Sequence, residues 1–252
     1  MGAKVICMAS KKGGVGKTTS SLAIGAGLMK RGKKVLFLDL DSQANLSRTM
    51  KAEPEPNIYE VLDQESETDI LHAVQETDMG DVVAATPKLN AIDTIVKGVG
   101  SEYFLREAIA PILPYYDFVI IDCPPSLETI TINALTASDD VVIPVQADYY
   151  SYDGLRQMRI SIERTKKYTN QKLNVAGLLI CRFNVRTTIS KSVRTDFETL
   201  AEKIGTKVFA QPIRECTALK EAQLMHQDIY EYASKSNAVA DYEAVLNEMG
   251  WN

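Results

Sequence analysis

The feature that most constrains the fold of this chain is a glycine-rich segment, residues 10–19, which reads SKKGGVGKTT. An apolar run at residues 4–9 precedes the segment, and a helical pattern of apolar residues at 18–31 follows it. Glycines between a strand and a helix let several backbone N–H groups approach one anion, and the positive end of the helix points at the same anion. The spacing therefore predicts a phosphate-binding loop.

The alternative explanation of this segment is a tight strand-to-helix turn that contains glycines for its backbone conformation and binds no ligand. The Gly-Lys-Thr sequence favours a nucleotide, because Lys17 would reach the β- and γ-phosphates and the Thr18 hydroxyl would bind Mg²⁺. The loop residues that we expect to contact the nucleotide are Lys12, Gly13, Gly14, Val15, Gly16, Lys17, Thr18 and Thr19.

Strand-like and helix-like patterns alternate along the rest of the chain, except at residues 51–100, where no pattern is clear. Apolar runs predict strands at residues 35–40, 118–122, 141–145 and 173–181, and helical patterns occupy residues 101–113, 128–137, 153–168, 188–204 and 235–248. Runs that are apolar throughout indicate strands buried on both faces, as in a parallel sheet with crossover helices. We therefore expect one α/β domain over residues 1–252, a P-loop NTPase whose mostly parallel, twisted sheet has helices on both faces.

The composition bears on the cellular compartment. No apolar run approaches the roughly 18 residues of a spanning helix, and the N-terminus leads directly into a strand, which argues against a secretory signal. The four cysteines lie far apart and form no CxxC pair, so neither a zinc cage nor a disulfide framework is indicated. We expect a cytoplasmic protein.

Carboxylates stand at the ends of two predicted strands. Asp39 and Asp41 alternate with a leucine, so both project from the same side of an extended chain, and Asp122 ends the run FVIID. A carboxylate at the end of a buried strand beside a phosphate loop can hold Mg²⁺ through water. Caps of turns or strand ends are the alternative role for these residues.

The charge is distributed unevenly along the chain. Residues 156–220 hold 14 Lys and Arg against 5 Asp and Glu, a net of +9, whereas the remainder of the chain has a net of −14. Such asymmetry predicts a surface that meets a polyanion, although solvated helix faces would give the same composition.

The loop departs from the common pattern G-x-x-x-x-G-K-[ST], since Lys11 takes the place of the first glycine and Lys12 precedes the paired glycines. K-G-G-x-G-K-T-T resembles the deviant Walker A motif of the ParA/MinD group of ATPases. Residues 131–139 and 142–146 are similar to the middle of small ParA/Soj-type partition ATPases. The resemblance implies that Lys12 reaches the nucleotide of a partner subunit, in a dimer that closes only on ATP.

The resemblance also implies roles for the carboxylates. Residues 39–43 correspond to the family motif D-x-D-P-Q, with Ser42 in place of the proline, and residues 122–125 resemble its second switch. By this correspondence Asp41 positions the attacking water, Asp39 supports the magnesium shell, and Asp122 binds magnesium through water. The catalytic residues would be Lys12, Lys17 and Asp41, and the metal residues Thr18, Asp39 and Asp122.

The contacts with the nucleotide base and with DNA are expected in the second half of the chain. The nucleotide base would lie against Arg182 and Asn184 and against Pro212 and Ile213. The family carries a DNA-contacting arginine at a position where this chain has Ala218, and Arg214 or Lys220 would have to replace it. The candidate DNA contacts are Arg156, Arg159, Arg164, Lys166, Lys167, Arg186, Lys191, Arg194 and Lys220.

Taken as a whole, the resemblance implies a ParA-type ATPase that dimerises on ATP, binds duplex DNA without sequence preference and drives plasmid or chromosome partition with a ParB-type centromere-binding partner. The chain would be associated with the nucleoid and would lack the N-terminal helix-turn-helix domain of longer relatives. The main alternative, a MinD-like ATPase at the membrane, needs a basic amphipathic terminal helix, but residues 241–252 are acidic. An iron–sulfur scaffold, a P-loop tyrosine kinase and a non-hydrolysing regulator are further alternatives.

Overall fold

The computed structural model describes residues 2–148, 151–184 and 188–251, with the backbone alone for residues 188–192. Within these residues the chain forms seven strands: β1 Lys4–Met8, β2 Val35–Asp39, β3 Gln75–Thr77, β4 Gly80–Val83, β5 Phe118–Asp122, β6 Asp140–Gln146 and β7 Asn174–Cys181. The α-helices of the same residues are α1 Lys17–Lys30, α2 Asn45–Thr49, α3 Ile58–Leu62, α4 Ile70–Ala73, α5 Phe104–Ile109, α6 Thr129–Ala137, α7 Ser151–Tyr168, α8 Thr188–Ile204, α9 Thr217–Leu224, α10 Ile229–Tyr232 and α11 Asn237–Met249.

The strands form one sheet in the order β3-β4-β2-β5-β1-β6-β7. All neighbouring pairs are parallel except β3 and β4, which form an antiparallel hairpin at one edge. The central strands β2 and β5 are buried along their whole length, as the uninterrupted apolar runs predict. The mostly parallel sheet is therefore confirmed, and it brings the ends of β1, β2 and β5 to one edge.

Helices cover both faces of the sheet and give it two hydrophobic cores. Alternate residues of β1 point into opposite cores, Val5 and Cys7 into one and Ile6 and Met8 into the other. The first core is completed by α5, α6 and α7, and the second by α1 and α11. Within the second core, Gly25 of α1 leaves room for the ring of Phe37, because a Cβ there would lie 2.1 Å from its Cζ atom.

Prediction and structure differ mainly in short elements. The helix predicted at residues 101–113 is interrupted: a 3₁₀ turn at Ser101–Tyr103 leads into α5, and a second turn follows at Leu113–Tyr115. Pro111 lacks the N–H that would continue α5, which explains why the helix ends early. The hairpin of β3 and β4 was not predicted, because the strand at the sheet edge, Gln-Glu-Thr, is polar and short.

The two longest helices, α7 and α8, are amphipathic. Leu155, Met158 and Ile162 are buried on the inner side of α7, while the outer side is charged. In the part of the chain that the structure describes, no helix combines the length and the apolar character needed to span a bilayer.

Candidate nucleotide-binding and catalytic site

The glycine-rich segment forms a tight loop between the end of β1 and the start of α1. Gly14 and Gly16 adopt φ angles of 71° and 101°, in the left-handed region that side chains disfavour. A Cβ on Gly16 would also lie 3.4 Å from both the Cβ and the Sγ of Cys181. Because Gly16 precedes α1 and has no side chain to cap it, the first amides of the helix are available to an anion.

Lys17 is the first residue of α1 and is only 6% exposed. Its Nζ donates a hydrogen bond to the carbonyl oxygen of Lys12 across the loop, at 3.1 Å. Burial lowers the pKa of Lys17, and the nearby charges of Asp122 and Asp41 oppose that shift. A largely dehydrated ammonium group at the base of the loop is thus suited to binding phosphate oxygens.

Asp122 ends β5 and is completely buried. Its two carboxylate oxygens accept hydrogen bonds from the hydroxyls of Thr18, at 2.6 Å, and Ser21, at 3.0 Å. Burial, and then repulsion from Asp39, raise its pKa. This carboxylate therefore lies directly behind the threonine that the sequence predicts to bind magnesium.

Asp39 lies beside Asp122, since the two residues pair in register at the ends of β2 and β5. It is also completely buried, and it accepts hydrogen bonds from the backbone N–H and the hydroxyl of Ser47, at 2.9 and 2.7 Å. Burial is the main cause of its raised pKa, although the bonds from Ser47 act in the opposite direction. Asp39 thereby ties α2 to the sheet and adds a second carboxylate behind the loop.

The oxygen atoms of Thr18, Asp39 and Asp122 fit a hard divalent cation. Two buried carboxylates with raised pKa values gain from a nearby positive charge, and oxygen ligands suit Mg²⁺. Among the described residues, no three His, Cys, Asp or Glu side chains converge into a cage of their own. The donor set therefore suits an ion that keeps water ligands and shares phosphate oxygens.

Asp41 is also buried, with 8% of its surface exposed, but unlike Asp39 and Asp122 it lines the cleft. Its Oδ1 accepts a hydrogen bond from the backbone N–H of Gln43, at 3.0 Å, which fixes the carboxylate at the start of the turn. A carboxylate held in place in the lining of a phosphate cleft is suited to positioning a water molecule.

Lys12 lies outside the residues that line the cleft. Its Nζ forms an ion pair with Asp148, and the neighbouring Lys11 forms a hydrogen bond with Gln157 of α7. Lys11 and Lys12 therefore both contact residues of their own subunit. The predicted contact of Lys12 with a partner's nucleotide stays a prediction.

The cleft beside the loop has a volume of about 710 Å³. The lining residues that the sequence predicts for the nucleotide are Gly13, Gly14, Gly16, Lys17, Thr18, Thr19, Asp41, Arg182 and Ile213. Val15 and Pro212 are buried and Asn184 is exposed, and none of the three lines the cleft. Lys220, predicted for DNA, lines the cleft instead.

Further lining residues were missed by the sequence analysis. Asn45 and Arg48 come from α2, and their closeness to Asp41 in the sequence was the available signal. Leu219 and Gln223 come from α9, a helix that no sequence pattern indicates. Gln223 also donates a hydrogen bond to Thr19, so α9 closes one side of the loop.

The loop after β7 and residues 212–215 form the wall expected at the base. Phe183 donates its backbone N–H to the Ile213 carbonyl at 2.9 Å, and Ile213 donates in turn to the Ile180 carbonyl at 2.8 Å. Arg182 adopts a φ of 53° and pairs with Glu215 at 3.4 Å. These bonds hold Arg182 and Ile213 at the cleft wall.

The predicted DNA contacts fall into several groups. On α7, Arg156, Arg164, Lys166 and Lys167 are exposed, whereas Arg159 pairs with Glu163 at 2.7 Å. Arg186 and the side chain of Lys191 lie outside the described residues.

Two further arginines form ion pairs with carboxylates of their own chain. Arg194 pairs with Glu198 at 3.1 Å and donates to the carbonyl oxygens of Phe209 and Ala210. Arg214 pairs with the buried Asp241 at 2.6 Å, which makes it a poor replacement for the family's DNA-contacting arginine.

Comparisons with known proteins identify the family. Residues 3–175 match a family model described as an AAA domain. The chain is 35% identical to the sporulation initiation inhibitor protein Soj of Bacillus subtilis over 99% of both chains. It is 34% identical to the chromosome-partitioning ATPase Soj of Thermus thermophilus, over 97% of this chain and 94% of that protein.

A solved structure gives the same fold. Cobyrinic acid a,c-diamide synthase from Mycobacterium smegmatis, with bound ATP analogue and magnesium, superposes with a TM-score of 0.84 and 31% identity, over 99% of this chain and 96% of that one. The P-loop NTPase fold is thus confirmed. From the phosphate loop, the sheet order and these relatives together, the chain belongs to the ParA/Soj family of partitioning ATPases.

Proposed function

We propose that this protein is a ParA-type ATPase that dimerises on ATP, binds DNA without sequence preference and drives plasmid or chromosome partition through cycles of hydrolysis. The observation that carries the proposal is the loop that contains Lys12 and Lys17, with the buried Asp39 and Asp122 behind it and Asp41 in the cleft lining. The Soj protein of Thermus thermophilus named above is a chromosome-partitioning ATPase, which favours this function over MinD-like positioning at a membrane.

ATP and Mg²⁺ are the proposed ligands of the cleft. The loop amides and Lys17 would bind the β- and γ-phosphates, and Thr18 would contribute its hydroxyl to the metal. The metal supplies charge neutralisation between the phosphates when bound. Asp122 and Asp39 would stabilise that charge from behind, while Arg182 and Ile213 would hold the base. The bound ATP analogue and magnesium of the M. smegmatis structure support this assignment.

Hydrolysis would rely on positioning rather than on covalent catalysis. Asp41 would orient a water molecule for in-line attack on the γ-phosphorus, so that a P–O bond to water forms as the bond to the bridging oxygen of ADP breaks. Lys17 would stabilise the charge that develops on the phosphate oxygens. The products are ADP and inorganic phosphate.

Dimerisation would couple nucleotide state to DNA binding. Lys12 would contact the partner's ATP, so two subunits would close face to face only when both triphosphates are present. Two copies of α7 would then present Arg156, Arg164, Lys166 and Lys167 to one duplex. A ParB-type partner would stimulate hydrolysis and release the dimer, and the protein would reside in the cytoplasm on the nucleoid.

The proposed dimerisation is tested by light scattering. With ATP and Mg²⁺ we expect twice the mass of the 27.8 kDa chain, and with ADP or without nucleotide the mass of one chain. Asp41→Asn should make the ATP-bound dimer long-lived enough for a clean measurement. A single mass under all conditions, for this variant too, would refute the proposal.

The proposed DNA binding is tested by retention of random-sequence duplex across a salt series. ATP should give strong retention that weakens with salt, because each phosphate contact adds roughly 0.9 to the slope of log K against log salt. Replacing Lys166 and Lys167 with alanine should reduce the slope by about 2 per subunit if both contact phosphates. Lys97→Ala, an exposed lysine outside the basic segment, is the matched control. Equal retention with ATP, ADP and no nucleotide would contradict the switch.

A further inference from the structure

The side chain of Lys12 rests against its own subunit in a specific way. Its ammonium group pairs with Asp148, which lies between β6 and α7, and its carbonyl oxygen accepts the hydrogen bond from Lys17. The pair is only partly exposed, at 26% for the Lys12 side chain and 36% for the Asp148 side chain. Lys12 is therefore held at both its backbone and its charged end.

Asp148 has a second role at the same place. Its Oδ1 accepts hydrogen bonds from the backbone N–H and the hydroxyl of Ser151, both at 3.0 Å, at the first turn of α7. Its other oxygen, Oδ2, receives Lys12. Partial burial tends to raise its pKa, but the bonds from Lys12 and Ser151 outweigh that effect and lower it. Because Ser151 fixes one oxygen, the other presents its charge to Lys12 in a defined direction.

One ammonium group cannot stay on Asp148 and also reach a nucleotide on another subunit. We propose that Asp148 is the positioning residue of Lys12: it holds this lysine on its own subunit and so sets how readily two ATP-bound chains dimerise. This inference rests on the proposed function, in which Lys12 contacts the partner's ATP. A triphosphate displaces the carboxylate because it offers more negative charge to the same cation, whereas ADP, without the γ-phosphate, offers less.

The test is Asp148→Asn. Asparagine keeps an acceptor oxygen for the two hydrogen bonds from Ser151, but it loses the charge that holds Lys12. A partly exposed ion pair of this kind shifts an equilibrium by about twofold to fivefold, and each dimer releases two of them. We therefore expect the dissociation constant of the dimer with AMPPNP and Mg²⁺, measured by sedimentation, to fall about fourfold to 25-fold.

Three variants make the result specific. Asp153→Asn removes the same charge from the exposed first turn of α7 and should leave the constant unchanged. In a Lys12→Ala background, which should itself weaken dimerisation, Asp148→Asn should have no further effect. Asp148→Ser also removes the charge and keeps a side-chain oxygen, and it should act like Asp148→Asn, with thermal melting as the check on folding.

The outcomes separate the inference from the proposed function. If the unmodified protein dimerises on AMPPNP and Asp148→Asn dimerises equally or less well, Asp148 does not restrain Lys12 and the inference is wrong. An equal fall of the dissociation constant in Asp153→Asn would show that the change in net charge causes the effect, and the inference would again be wrong. If the unmodified protein stays monomeric with AMPPNP, the proposed function fails, and the inference fails with it.

Discussion

Lys17→Ala is expected to weaken ATP binding by about tenfold to 150-fold and to remove every ATP-dependent behaviour of the protein. The estimate takes the net loss as one hydrogen bond between a charged donor and the phosphates, which contributes about 1.5–3 kcal/mol. The effect should be large because Lys17 is buried at the base of the loop, where water cannot replace its charge. Equilibrium binding of a fluorescent ATP analogue measures the loss directly.

Lys11→Ala is the matched control for this variant. Lys11 is in the same loop and carries the same charge, but it is exposed and contacts Gln157 rather than the cleft. We expect Lys11→Ala to bind the analogue normally. Binding by Lys17→Ala within about twofold of the unmodified protein would show that the nucleotide phosphates do not lie in this loop.

The large elements of the fold could be predicted because each one carries its own signal. β5 is an apolar run bounded by polar residues, and α1 begins where the glycines end. The hairpin at the sheet edge carries no such signal, since its residues are polar and become a strand only by pairing with β4. The positions of short helices such as α9 likewise depend on the surfaces against which they pack. Packing of α9 on the second core places it beside the loop.

The phosphate end of the site was predictable for a related reason. A loop that binds phosphate through its backbone must contain glycines at fixed spacing, so the residues that bind phosphate are consecutive in the sequence. The ion pair of Lys12 with Asp148 joins residues 136 positions apart, and nothing in the sequence indicates it. The same holds for the bonds that Arg194 and Arg214 form within the chain, although the charge pattern assigned Arg194, and the family resemblance Arg214, to a DNA-binding surface.

Removing the charge of Asp41 is expected to slow ATP hydrolysis by about 100-fold or more while leaving ATP binding and dimerisation intact. Asp41→Asn is the sharper variant, because its side-chain oxygen still accepts the hydrogen bond from Gln43 and so preserves the turn. Asp41→Ala loses that bond too and should be equally slow. Phosphate release under saturating ATP measures the rate, and DNA retention after dilution from ATP measures the lifetime of the dimer.

The direction of the DNA effect is what makes this prediction decisive. If Asp41 acts only in hydrolysis, the slow variants must stay on DNA longer than the unmodified protein, because release depends on cleavage of the γ-phosphate. Asp93→Ala, which removes an exposed carboxylate that does not line the cleft, should hydrolyse ATP and leave DNA at the ordinary rate. Normal hydrolysis by Asp41→Asn would show that a residue other than Asp41 positions the water. Slow hydrolysis combined with early release from DNA would instead mean that Asp41 holds the dimer together, since only a loss of the closed state would explain both results.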